Sequence, residues 1–227
     1  MSNKITLVMD SSGPILLAGA AADGQIYSAR KKGIKQERFF LPLAERVLAK
    51  AGAQLSDIGR VFFVRGPGRF TGIRISLTFA SMLQALNGAI PCSATLFEIL
   101  YKQVSDSSSY AKWKKAHPSS TVAIVLHAFR EEYFLQFFDG QNAGPQWLGK
   151  AELLQKLAAR TDPLYIAGTD KDDTSLEGLL GGGYQLASLA DSRIRVQTLL
   201  EMAANPIYEK NALEPLYLKP ARFELGQ

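Results

Sequence analysis

"RVFFVRGPGRFTGIRISLTFASMLQAL", residues 60–86, passes from a β-rich apolar run through three glycines and a proline into a second, longer apolar run. Residues 60–64 read as a strand, and the stretch from about Thr71 to Asn87 as a helix. A strand that feeds a helix through a tight loop is a building unit of α/β sheets. The loop matches neither common phosphate motif. A P-loop needs four residues between its glycines and then Lys-Ser/Thr, whereas no lysine follows Gly66, Gly68 or Gly72. In G-x-G-x-x-G terms the third glycine comes one residue late. What remains is a turn in which Gly66 and Gly68 supply backbone freedom and Pro67 stiffens the chain. Weak anion binding at the helix N-terminus is its alternative use.

Working outward, residues 4–9, 15–21 and 25–30 are short β-rich runs, the last two joined by the hairpin dipeptide Asp23-Gly24. A helix is expected over Phe39–Ala51, with Pro42 in its first turn and Gly52 at its end. After residues 90–94 and a helical stretch at 95–104, residues 105–120 (SDSSSYAKWKKAHPSS) turn serine-rich and basic, which predicts an exposed connection. The pattern then starts again. Strands are expected at 121–128, 132–138 and 145–148, a helix at 151–160 and a strand at 164–168. Two successive β-β-β-α-β units predict a duplicated, two-lobed α/β fold, each lobe a mixed sheet flanked by helices. The first lobe is assigned to residues 1–104 and the second to 121–227, with a C-terminal segment able to pack back on the first.

With 227 residues, 47% hydrophobic and 21% charged, the chain reads as an ordinary globular protein. No run is long enough for a membrane span, and the first ten residues read as a strand instead of an export signal, so the cytoplasm is the expected location. The lone Cys92 excludes an internal disulfide, and with only His117 and His127 a Cys/His zinc site is not expected. No metal and no cofactor are therefore assigned. Arg74 is the single charge between Thr71 and Asn87, so that helix must be covered on nearly every side. Its cover is either its own domain or, on one face, a partner protein.

These residues resemble the TsaB (YeaZ) family. Gly66, Pro67, Gly68, Arg69, Phe70, Thr71, Gly72 and Arg74 follow the family's GPGSFTGLRIG loop, and the preceding "LPLAERVLAKAGAQLSDIGRVFFV" (41–64) is similar to the segment with its helix of the LLP type. "VMDSSG" (8–13) is similar to its strand and D-T-S turn, "IVLHAFREEYF" (124–134) to its A-I-D-A-R-x-G-E-V-Y segment, and "EPLYLKP" (214–220) more loosely to its C-terminal part. The resemblance implies an actin/sugar-kinase-like fold and a role in making N6-threonylcarbamoyladenosine at position 37 of tRNA. It implies a non-catalytic subunit that binds and supports a TsaD-like catalytic subunit, with a TsaE-like ATPase joining the pair and a separate enzyme making threonylcarbamoyl-AMP. tRNA is then met indirectly. The partner surface is assigned to the two apolar helices through Phe40, Leu43, Val47, Leu77, Ala80 and Leu83, which would also join two copies of the chain when the partner is absent.

Several positions depart from the family pattern. Arg69 replaces a serine, Glu37 and Arg38 stand where His-Ser is usual, and His127 and Phe129 stand where the second lobe usually has Asp and Arg. Asp10, Ser11 and Ser12 form a candidate phosphate-binding remnant, but a neutral imidazole at 127 cannot serve magnesium as a carboxylate would. No catalytic residue is assigned. The alternative is a nucleotide-binding kinase or hydrolase of the same superfamily. Two basic clusters, Arg30, Lys31, Lys32, Lys35 and Arg38, and Lys112, Lys114 and Lys115 around Trp113, could pair with RNA. A solvated loop is the plainer reading of each.

Overall fold

A computed structural model describes residues 4–33, 35–140 and 144–219. The chain opens with β1 (Ile5–Asp10), β2 (Ile15–Ala22), β3 (Gln25–Lys32), α1 (Glu37–Lys50), β4 (Ile58–Val64), α2 (Phe70–Asn87) and β5 (Ile90–Ala94). Two helices follow, α3 (Leu96–Ser105) and α4 (Ser108–Ala116). Then come β6 (Thr121–Phe129), β7 (Glu132–Phe138), β8 (Gln146–Gly149), α5 (Lys150–Ala158) and β9 (Leu164–Thr169). Short α6 (Glu177–Leu180), β10 (Gln185–Leu186) and α7 (Val196–Ala203) complete the set. Among the described residues no helix is long and apolar enough to cross a membrane.

The two sheets repeat one plan. The first has the order β3-β2-β1-β4-β5 and the second β8-β7-β6-β9-β10. In each, three strands form an antiparallel meander and the later two add in parallel. Asp23 and Gly24 have φ of 50° and 74°, as a tight primed turn between β2 and β3 requires.

Residues up to Leu96 form one compact unit together with Arg195–Tyr217, and Phe97–Ile194 form the other with the described residues from Leu218. In the first unit α1 and α2 cover one face of the sheet. Leu7, Met9, Leu16, Ala18, Val61 and Phe63 point into that layer and meet Phe40, Leu43, Val47, Phe79 and Leu83. Phe40 and Phe79 meet edge to face at 5.3 Å. The opposite face carries Val8 and Gly19, and a β-carbon on Gly19 would run into Val196 of α7. The following segment stays with this unit, Ser93 Oγ donating to the Ala212 carbonyl at 2.8 Å and Arg60 pairing with Glu209 at 2.7 Å.

Three boundaries differ from the sequence reading. The break between units falls after Leu96, not 104, because α3 packs within the second unit: Tyr101 stacks on Phe138 at 4.1 Å, and buried Gln103 donates to the Asp191 and Arg193 carbonyls. The expected exposed connection at 105–120 is largely α4. Ser107 caps it by accepting from the Tyr110 N–H, and Tyr110 and Trp113 lay their rings on Tyr165. Residues 195–217 pack with the first unit, in line with the C-terminal segment expected to pack back on it, and 220–227 lie outside the described residues. Finally, α1 starts at Glu37, so Pro42 is its sixth residue instead of a first-turn one. Buried Gln36, whose side-chain amide donates to the Gly13 carbonyl at 3.0 Å, holds this earlier start.

Candidate functional site: the glycine loop and the faces of its helices

Two loops meet at one end of the first sheet. The end of β1 and the turn after it carry Asp10, Ser11 and Ser12, all buried, and the glycine loop after β4 lies against them. The Arg69 N–H donates to the Ser12 carbonyl at 2.7 Å, and Ser11 Oγ donates to the Gly72 carbonyl at 2.8 Å and lies 2.8 Å from Ser76 Oγ. The backbones come close because the glycines lack side chains. A β-carbon on Gly68 would fall on the Ser12 carbonyl oxygen, and one on Gly72 on that of Ser11. Gly66 alone of the three needs glycine's backbone range, with φ of 120°, and its β-carbon would lie 2.5 Å from the Leu216 carbonyl oxygen. Gly68 does not take a positive φ, so the freedom expected there is instead a close approach.

The candidate phosphate remnant is bound up within its own turn. Asp10 Oδ1 accepts from the Ser12 N–H at 2.8 Å and from Ser12 Oγ at 2.6 Å. Burial pushes the Asp10 carboxyl up from its ordinary value, and the two bonds from Ser12 only partly offset this. A carboxyl raised on folding favours the folded state most below the ordinary carboxylate range, and that contribution is lost as pH rises through the raised value. Asp10→Asn keeps an oxygen acceptor for Ser12 and removes the buried charge. It is expected to raise the melting temperature at about pH 8 and to leave it nearly unchanged at about pH 4. A lower melting temperature at the higher pH would show that the fold needs the ionised carboxylate.

Residues 68–71 of the loop are exposed. Arg69 takes the N-cap position of α2 without a side-chain cap bond, and Phe70 is open to solvent with the Arg74 guanidinium 4.7 Å from its ring centre and Tyr217 at 5.0 Å. Pro67 is buried and Thr71 exposed. In the second unit His127 Nε2 bonds with the Arg130 carbonyl oxygen at 2.9 Å, and Phe129 is exposed beneath Arg130 and Lys219. Among the described residues no three His, Cys, Asp or Glu side chains are placed to share a metal ion.

The partner-surface assignment needs correction. Phe40, Leu43, Val47, Ala80 and Leu83 are buried in the first unit's core, and Leu77 is half-buried against it. The outward faces belong to other residues. On α2 these are Thr71, Arg74, Thr78, Ser81, Met82, Ala85 and Leu86, at three- and four-residue spacings, with Leu86 76% exposed. On α1, Phe39 and Leu41 are about 40% exposed. Thr71, Arg74, Thr78 and Ser81 form a polar stripe along that outward face, and its spacing is the sequence signal that places Leu83 inside and Leu86 outside.

The family model described as "TsaD: tRNA N6-adenosine threonylcarbamoyltransferase" matches residues 34–92, the span holding both helices and the glycine loop. The tRNA threonylcarbamoyladenosine biosynthesis protein TsaB of Buchnera aphidicola (subspecies Schizaphis graminum) is 36% identical over 114 residues, 50% of this chain and 52% of that protein. TsaB of Escherichia coli K12 is 28% identical over 102 residues, 45% of this chain and 41% of that protein. Over these spans the chain is similar to proteins of the TsaB (YeaZ) family. It spans about half the length of these curated relatives in the matched regions. The solved structure of YeaZ from Pseudomonas aeruginosa has the same fold, with a TM-score of 0.66 and 21% identity over 94% of this chain and 99% of that one.

Proposed function

We propose that the chain acts in the biosynthesis of N6-threonylcarbamoyladenosine in tRNA as a non-catalytic subunit, supporting a TsaD-like enzyme through the outer faces of α1 and α2. The observation that carries this reading is the C-terminal end of the outer face of α2, where Met82, Ala85 and Leu86 stand together in solvent, within the span that matches the TsaD family. Single exposed apolar residues are common, but a cluster of them at one end of a helix suits a surface that meets another protein. The curated relatives, named for the same biosynthesis, support the process. Asp10 supports a non-catalytic role, because its carboxylate is buried and already accepts two bonds from Ser12. In the absence of the enzyme the same face pairs two copies of the chain, and a TsaE-like ATPase completes the assembly.

The test is co-purification with the host's TsaD-like protein, followed by modification of a tRNA transcript with ATP and threonylcarbamoyl-AMP. The chain alone is expected to modify nothing, and the complex with the TsaE-like ATPase to modify tRNA. Absence of a complex, or modification by the chain alone, would sink this reading.

A further inference from the structure

The formal charge of the whole chain is +5, and residues 30–38 (RKKGIKQER) hold five basic and one acidic side chain. The rest of the chain is therefore nearly neutral, and the positive charge is concentrated at one place. That place is a corner of the first unit. β3 is the edge strand of its sheet and ends at Lys32, Lys35 turns the chain with φ of 59°, and α1 begins at Glu37. The corner is held in shape by the bond from Gln36 to the Gly13 carbonyl and by that from the Gly33 N–H to Pro14. Lys31, Lys32, Lys35 and Arg38 are all exposed, and Lys31 Nζ sits 4.9 Å from the centre of the half-open Phe39 ring.

Several cations elsewhere in the molecule meet carboxylates. Arg60 pairs with Glu209, Arg160 with Asp139 and Asp162, and Arg193 with Asp173. Among the described residues no carboxylate lies within ion-pair distance of Lys31, Lys32, Lys35 or Arg38. Four like charges within eight residues repel one another, and a polyanion relieves that repulsion while releasing its own counterions. In the second basic cluster the aromatic ring is covered and one lysine is engaged. Trp113 is stacked on His117 at 4.4 Å and packed on Tyr165, and Lys114 donates to the Ser120 carbonyl.

We propose that the β3–α1 corner binds the phosphate backbone of RNA, so that this subunit touches tRNA directly instead of only through its partner. The choice of tRNA among RNAs rests on the proposed function; the charge and geometry of the site do not. An exposed aromatic ring among the cations favours a nucleic acid over an acidic protein surface, because bases as well as phosphates find a partner there.

The test is fluorescence anisotropy of a labelled, unmodified tRNA transcript with the purified full chain over a range of salt concentrations. Four phosphate contacts predict a log–log salt slope of about −3. Lys31→Ala/Lys32→Ala/Lys35→Ala/Arg38→Ala should flatten that slope towards zero and weaken binding at least about tenfold near 0.1 M salt. Lys112→Ala/Lys114→Ala/Lys115→Ala should bind as the parent chain does. A quadruple variant that melts like the parent and still binds tRNA equally overturns the proposal, as does tRNA failing to bind the parent chain. Polyglutamate displacing tRNA at equal charge would show an acidic protein as the occupant, and also overturns it. Capture of the TsaD-like protein by the same variants separates the two readings. Capture retained with tRNA binding lost supports this inference, whereas tRNA binding by a parent chain that captures no enzyme supports it while removing the proposed function.

Discussion

Gly72→Ala is expected to unfold much of the protein, and Gly72→Val to leave little that is soluble. The first added carbon already lands on the Ser11 carbonyl oxygen, so a smaller side chain is no escape. Neither backbone can retreat cheaply. Ser11 follows β1, the central strand of the sheet, and its hydroxyl bonds to the Gly72 carbonyl, while the Arg69 N–H is tied to Ser12. Overpacking in a core costs about 1–3 kcal/mol when side chains can shift, and a clash between two fixed backbones belongs at or above the top of that range. Against a typical stability of about 5–15 kcal/mol, a loss of about 3 kcal/mol or more is severe. Gly68→Val, which meets Ser12, is expected to follow at about 1–3 kcal/mol. Gly88 is the control: it ends α2 with φ of 66° and nothing within 4 Å, so Gly88→Ala should cost only about 1 kcal/mol. Urea unfolding of the four proteins orders them. A Gly72→Ala variant as stable as the parent would mean that the two loops do not lie together.

Leu83→Glu and Leu86→Glu, three residues apart on α2, should fail in opposite ways. Leu83 is 2% exposed and packs in the core, so a glutamate there loses the buried side chain and adds an unpaired charge. A cost of about 4 kcal/mol or more is expected, seen as loss of the cooperative melt. Leu86 is 76% exposed, and its replacement should change stability by only about 0.5 kcal/mol. If the outer face of α2 seats the partner, the same glutamate must be desolvated there without a counter-ion, and binding should weaken by about 2 kcal/mol or more. Met82→Glu should behave like Leu86→Glu. Calorimetry gives the fold and affinity capture the association. Retained association in both surface variants, with the fold intact, would place the partner elsewhere.

Much of the architecture is legible in the residues. Asp23-Gly24 marks a tight turn by its chemistry, and the repeated strand pattern announces the duplicated sheets. Tertiary features are not. The three glycines signal a constrained loop, but that Ser11 and Ser12, some sixty residues earlier, press on it is a fact of the folded sheet. Helix α4 hides behind a composition of serines and lysines, although Tyr110 and Trp113 at i and i+3 form the apolar face that docks it on Tyr165. The partner residues are misassigned for a related reason. Choosing Leu83 over Leu86 needs the phase of α2, which only the short stripe of Thr71, Arg74, Thr78 and Ser81 carries, and the apolar residues around it mask that stripe.

The return of residues 195–217 to the first unit has a consequence for synthesis. A ribosome releases β1 to β5 first, yet the face bearing Val8, Leu17 and Phe62 stays open until Val196 and Leu199 emerge about a hundred residues later. At about 5–20 residues per second that wait is roughly 5–20 s, with apolar surface exposed throughout. The second unit's main span, Phe97–Ile194, is uninterrupted, so the part of the chain that starts later is able to close first.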